Sequence, residues 1–177
     1  MPFRHAAAAI LLFFAWILPA SGEELAFYGP PIPDVYLPLA DEILVDKSSR
    51  AMYLISDGEP FRRYDVALGR NPEGHKKRRG DRRTPEGTYY ITRRNLDSDF
   101  HIALHISYPS PEDRARANAR GQNPGGNIVI HGQRNSYVSG DYKRAGDWTD
   151  GCIALSNAEM EELWHLVPIG TPIRILP

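Results

Sequence analysis

Fifteen prolines and fifteen glycines break this chain into short apolar runs. Proline is confined to helix starts, turns and sheet edges, and glycine marks turns and sharp backbone bends. A bundle of long helices is therefore excluded, and the remaining solution is many short strands joined by tight turns. The apolar content of 42% against 24% charged residues is enough for a real core, so a disordered chain is excluded too. A length of 177 residues suits one domain with a small appendage. Lys and Arg (21) balance Asp and Glu (22), which leaves no basis for a general nucleic-acid binder.

Residues 1–22 read as a secretory signal peptide. Arg4 supplies the positive start, Ala6 to Leu18 is an uncharged apolar run, and Ala20-Ser21-Gly22 offers small residues for cleavage after Gly22. The alternative is a membrane anchor, but the run rises only about 20 Å as a helix, short of the roughly 30 Å hydrocarbon core. No cysteine lies near the cleavage site for lipid attachment, and no second run of spanning length follows. The mature chain is expected outside the cytoplasmic membrane, in the periplasm or cell wall. Residues 23–40, with Pro30, Pro31, Pro33 and Pro38, read as a stiff extended lead-in, and residues 41–177 as the working domain.

Within that domain the runs at 42–45, 51–55 and 64–68 read as an antiparallel meander, with Asp57-Gly58 as a tight turn. Further strands are expected at 87–92, 102–106, 127–130 and 173–175. Two helices are expected. One starts at Ser110-Pro111 with Glu112 and Asp113 in its first turn and ends by Gly121. The other starts at Ser156 with Glu159 as its capping partner, carries Met160, Leu163, Trp164 and Val167 at helical spacing, and stops at Pro168. The fold class is mainly β, a barrel or sandwich with two short helices.

Cys152 is the only cysteine. Outside the cytoplasm an unpaired thiol is buried and inert, joined to another molecule, or a working thiolate. His131 ends an apolar strand twenty-one positions earlier, and imidazole titrates in the range a thiol's base requires. An ion pair with His131 would lower the Cys152 pKa from its ordinary value near 8.5. Gly151, without a Cβ, would let a substrate come close, and the Cys152 N–H would face a developing oxyanion. The Thr149 and Gly151 carbonyls are candidates to hold the second imidazole nitrogen.

The stretch His131-Gly132 followed by Thr149-Asp150-Gly151-Cys152-Ile153 resembles the catalytic motif of L,D-transpeptidases, in which His-Gly after a strand precedes Ser or Thr, any residue, Gly, Cys and an aliphatic residue. Val45-Asp46-Lys47-Ser48, Ala67-Leu68-Gly69, Asn71-Pro72 and the run Gly80 to Gly87 match the family's earlier segments in order. The resemblance spans residues 41–177. It implies that Cys152 is the acyl-accepting nucleophile, His131 the general base and later acid, and the Gly151-Cys152 backbone the oxyanion site. Gly132, Thr149, Asp150, Arg134 and Arg144 would line the site. The substrate would be peptidoglycan stem peptides, with a murein-linked lipoprotein as a further partner, and neither metal nor organic cofactor is needed.

Two positions depart from the commoner pattern. Asp150 stands where many members carry His, and Ala154 where many carry Arg. They resemble the branch that includes murein–lipoprotein-handling members, some of them hydrolases. Asp150 is a candidate to hold the ammonium of an incoming amine, and the acceptor stays open between amine and water. A wall-binding module without catalysis is the alternative of another class.

Of the remaining features, Lys76 to Arg79 with Arg82 and Arg83 reads as a solvated loop, or else as an attractor of wall polymer or a peptide carboxylate. His101 and His105 share a strand face but lack a third ligand at metal-site spacing, and read as satisfied strand histidines. Lys143 is grouped with Arg134 and Arg144 as a substrate-carboxylate candidate, Tyr142 and Trp148 as groove or loop residues, Trp164 as core, and Asn157 as helix-start scaffolding.

Overall fold

The computed structural model describes residues 37–136 and 146–177. The expected signal peptide and nearly all of the Pro-rich lead-in lie outside the described residues. The order is β1 (Glu42–Asp46), β2 (Ala51–Ser56), β3 (Glu59–Asp65), β4 (Gly87–Ser98), β5 (His101–Ile106), α1 (Pro111–Asn118), β6 (Val129–His131), β7 (Ile153–Ala154), α2 (Asn157–Leu166) and β8 (Pro172–Leu176). The strands form one sheet in the order β3-β2-β1-β8-β4-β5-β6-β7. The class is mainly β, with two helices among the described residues.

The meander forms as expected: β1 pairs antiparallel with β2, and β2 with β3. Its third strand is Glu59–Asp65 rather than 64–68. Asp57 and Gly58 both take positive φ, so the chain reverses at once and Ser56 already faces Glu59. β4 runs to Ser98, well past Thr92, because its polar second half pairs with β5 across two register shifts. β6 starts at Val129 because Asn127 sits at φ +55°, off the extended conformation.

The segment freed from β3 closes the sheet. Ala67 exchanges two backbone hydrogen bonds with Ala154 of β7, at 2.9 and 2.8 Å, and Thr149 N–H donates to Leu68 O at 3.1 Å. The two ends of the strand order therefore meet, giving the barrel-like enclosure expected. Inside lie Ile43, Met52, Leu54, Leu68, Leu104 and Ile130, all fully buried. α2 covers the core with Met160, Leu163 and Trp164. Each helix starts with a complete capping box, Ser156 with Glu159 as expected and Ser110 with Asp113 where the sequence signalled only an N-cap with acids in the first turn.

Candidate active site

His131 and Cys152 come together through strand pairing. β6 and β7 run parallel, with Ile130 opposite Ile153 and His131 opposite Ala154. Cys152, one residue ahead of β7, therefore stands beside Val129. Val129 and His131 are two apart on β6 and share a face. Both line one cavity of about 390 Å³ with Cys152. The thiol is half-buried, and its S–H donates to Asn127 O at 3.6 Å.

The His131 ring is buried between Phe100, whose centroid is 4.5 Å away, and Trp148 at 5.5 Å. Its Nδ1 lies 2.7 Å from the carbonyl of Gly132. A carbonyl only accepts, so Nδ1 carries the proton and Nε2 keeps its lone pair. The expected holders, the Thr149 and Gly151 carbonyls, are not used. The Thr149 carbonyl accepts from Arg70 N–H at 3.0 Å, and Thr149 is drawn into its own turn instead. Phe100 was not singled out from the sequence. Its place in the Asp99-Phe100 turn between β4 and β5 is the one signal that could have marked it.

α2 fixes the His-Gly corner from behind. The Asn157 side-chain oxygen accepts from Gln133 N–H at 2.8 Å, and Leu155 N–H donates to His131 O at 2.9 Å. A Cβ on Gly132 would stand 2.6 Å from that Asn157 oxygen and 3.2 Å from Phe100 O, so any larger residue would have to displace the Asn157 side chain.

The turn before the thiol is equally constrained. Thr149 Oγ1 donates to Cys152 O at 2.7 Å and accepts from Gly151 N–H at 3.1 Å. The Gly151 N–H is thus occupied, whereas among the described residues nothing hydrogen-bonds the Cys152 N–H. Gly151 has φ +127°, and a Cβ there would meet Arg83 O at 2.6 Å. The close approach that demands glycine is to the chain's own backbone, not to a substrate.

Burial favours the uncharged form of both Cys152 and His131, which works against the ion pair expected. Burial pushes the Cys152 thiol up, with a backbone hydrogen bond from Val129 and the charge of Lys76 opposing it only in part. Burial pushes His131 down, and the Gly132 hydrogen bond only partly restores it.

The basic run is only partly solvated. Lys77 and Arg78 are exposed, but Lys76 is buried and bonds Asp81 at 2.8 Å. Asp81 also accepts from the N–H groups of Lys77, Arg78 and Arg83. Burial raises its carboxyl, but these bonds outweigh it and hold the group at about 2. The loop so formed folds over a second cavity of about 450 Å³, lined by Arg70, Lys76, Arg79, Arg82, Asp150 and Cys152 among others. Asp150 is exposed and tied to Arg70 at 3.1 Å, with Arg82 at 3.8 Å. Its carboxylate already has cationic partners, which weakens its candidacy as an ammonium holder.

Arg134 lines the histidine-side cavity with its guanidinium 5.3 Å from the Phe100 centroid. Arg144, Lys143 and Tyr142 lie outside the described residues. Trp148 lines the groove and packs on His131. His101 Nε2 sits 2.9 Å from Glu161, and His105 Nε2 lies 2.9 Å from Arg93. Among the described residues no cluster of three His, Cys, Asp or Glu is placed to hold a metal ion.

A closed β-rich sheet with a Cys and a His facing one cavity from paired strands defines a class. The model of the YkuD L,D-transpeptidase catalytic domain matches residues 40–175, and the chain belongs to that family. The YafK protein of Escherichia coli (strain K12) is 31% identical over 117 residues, covering 65% of this chain and 38% of that protein. The YqjB protein of Bacillus subtilis (strain 168) is 26% identical over 151 residues, covering 82% and 76%. Among solved structures, the helical cell shape determining protein Pgp2 of Campylobacter jejuni matches with a TM-score of 0.56 and 25% identity, over 75% of this chain and 46% of that one. The chain thus spans less than half the length of YafK and of Pgp2.

Proposed function

We propose that this chain is an exported cysteine L,D-transpeptidase, residues 41–177 forming the catalytic unit, which acylates itself with a peptidoglycan stem tetrapeptide and passes the acyl group to an amine. The observation that carries the reading is the pairing of β6 with β7. It sets Cys152 and His131 on one cavity with Nδ1 tied to Gly132 and Nε2 free to accept a proton.

Burial disfavours charge on both partners, so His131 acts as a general base during attack rather than as the partner of a standing thiolate. The Cys152 S–H turns from Asn127 O to Nε2, and the proton passes as the sulfur–carbon bond forms. The Cys152 N–H is the donor aimed at the oxyanion, because the Gly151 N–H is committed to Thr149. Imidazolium then returns the proton to the departing D-amino acid nitrogen as the amide bond breaks. A thioester remains, and an amine acceptor displaces the sulfur while His131 again takes the proton. Acceptors that fit are a second stem peptide, a free D-amino acid or a lipoprotein lysine. Pgp2 is named as a helical cell shape determining protein, which supports a role in cell shape here. Water as acceptor would turn the same dyad into a murein hydrolase.

The test is product analysis on tetrapeptide-bearing murein with the wild type and Cys152→Ala. New amide-linked dimers from the wild type alone support transfer, and trimmed stems alone support hydrolysis. No product from either protein, together with no covalent carbapenem adduct on Cys152, sinks the catalytic reading in favour of a wall-binding module.

A further inference from the structure

Cys152 borders two cavities of different chemistry. On the His131 side the walls are aromatic and mixed. On the other side four cations, Arg70, Lys76, Arg79 and Arg82, face the space beside the thiol, and Asp150 is the one acid among the lining residues. Two of these charges are spoken for: Lys76 by Asp81 at 2.8 Å, and Arg70 by Asp150 at 3.1 Å. Arg82 stands at the edge of Asp150's reach at 3.8 Å. Arg79 is exposed, and its backbone N–H anchors it to Asn123 O at 2.8 Å. The space therefore carries an excess of positive charge, held by a loop whose shape Asp81 fixes rather than by free side chains.

We propose that this basic cavity is a carboxylate subsite, in which Arg79 and Arg82 bind a free carboxylate of the peptide and Asp150 sets the strength of the site by occupying Arg70. The inference rests on the peptide-substrate reading above. Arginine is suited to the role because its planar fork meets both oxygens of a carboxylate. Two carboxylates of a stem peptide have this chemistry: the α-carboxylate of the terminal residue and the side-chain carboxylate of the diamino acid. Asp150 and the arginines thus act as specificity residues, favouring substrates that bring a negative charge within reach of the sulfur.

The first experiment needs no turnover. The Cys152 thiol of the full chain is alkylated with iodoacetate and with iodoacetamide, which differ mainly in charge. A positive cavity favours the anionic reagent beyond the ratio shown by a free thiol, by roughly three- to tenfold at low salt, and the preference shrinks as ionic strength rises. Arg79→Gln with Arg82→Gln removes the preference, Asp150→Asn increases it, and Arg114→Gln on α1 leaves it unchanged. The second experiment measures binding to the inert Cys152→Ala protein of three stem tetrapeptides: the free acid, the C-terminal amide and the diamino-acid side-chain amide. One amide binding roughly tenfold more weakly supports the subsite and identifies which carboxylate it takes. Equal binding of all three, or a charge preference that survives loss of both arginines, overturns it. Dimer formation on murein with no charge preference at the thiol would leave the catalytic reading standing while removing the subsite.

Discussion

A methyl group on Gly151 asks whether contact or conformation alone shapes the backbone ahead of the thiol. Gly151 sits at φ +127°, where an L side chain is strained by about 1–3 kcal/mol. Its Cβ would also stand 2.6 Å from Arg83 O and 3.3 Å from Ile128 Cδ1. Arg83 O is backbone, so it cannot rotate away, and overpacking of this kind costs a further 1–3 kcal/mol or about 2. Gly87 supplies the comparison. Its φ is +118°, but a Cβ there meets nothing closer than 3.8 Å. Gly87→Ala therefore carries the strain without the overlap. For a domain of this size about 2 kcal/mol is worth roughly 4–8 °C in Tm. Thermal unfolding should place Gly151→Ala below Gly87→Ala by that margin. The alkylation rate of Cys152 should change in Gly151→Ala only, because the displaced backbone is the one that bears the sulfur. Equal Tm losses for the two variants would refute the overlap argument, and an unchanged thiol rate in Gly151→Ala would refute the link between that turn and the site.

Further expectations concern the histidine and the basic loop. Phe100→Ala uncovers the His131 ring, so its pKa should rise toward its ordinary value near 6.5, moving the acid limb of kcat/KM upward; an NMR titration of His131 reads the same shift without turnover. Because burial holds the folded-state pKa of His131 below its unfolded value, its contribution to stability is present above about pH 6.5 and is lost as pH falls through the folded pKa; Phe100→Ala should flatten that part of the stability profile. Lys47, buried, donates to Glu86 at 2.6 Å and to Gly74 O at 3.0 Å, pinning the basic loop to the end of β1. Lys47→Ala should cost about 3 kcal/mol in denaturant unfolding, and a loss under about 1 kcal/mol would show that the pair holds nothing in place.

Much of this molecule is written locally. Ser110 with Asp113 and Ser156 with Glu159 specify two helix starts within four residues each, and the structure places both there. Alternation in Ile102 to Ile106 specifies a strand with its aliphatic residues inward, and all three are buried. The approach of His131 and Cys152 was legible because an apolar strand and a Gly-Cys turn bracket them. What escaped depends on partners remote in sequence. β7 is two residues long and has no pattern to detect; its pairing with β6 on one side and with Ala67, eighty-seven positions earlier, on the other is what defines it. The basic run looks solvated until Asp81 gathers its backbone and Lys76 beneath it. The Nδ1 partner depends on a single carbonyl's orientation, and the burial that pushes His131 down on how deeply Phe100 and Trp148 enclose the ring.

The joint where Ala67 meets Ala154 has a consequence for how the domain comes apart. Those few hydrogen bonds stitch the first third of the domain to its last, and Cys152 lies next to the stitching. Loosening there opens the closing edge of the sheet and leaves β7 held by β6 alone, at a small fraction of the cost of melting the interior. Heating or mild denaturant should therefore alter the alkylation rate of Cys152 before most of the sheet has come apart, because the turn that carries the sulfur loses its support from Leu68 and Ala67 first.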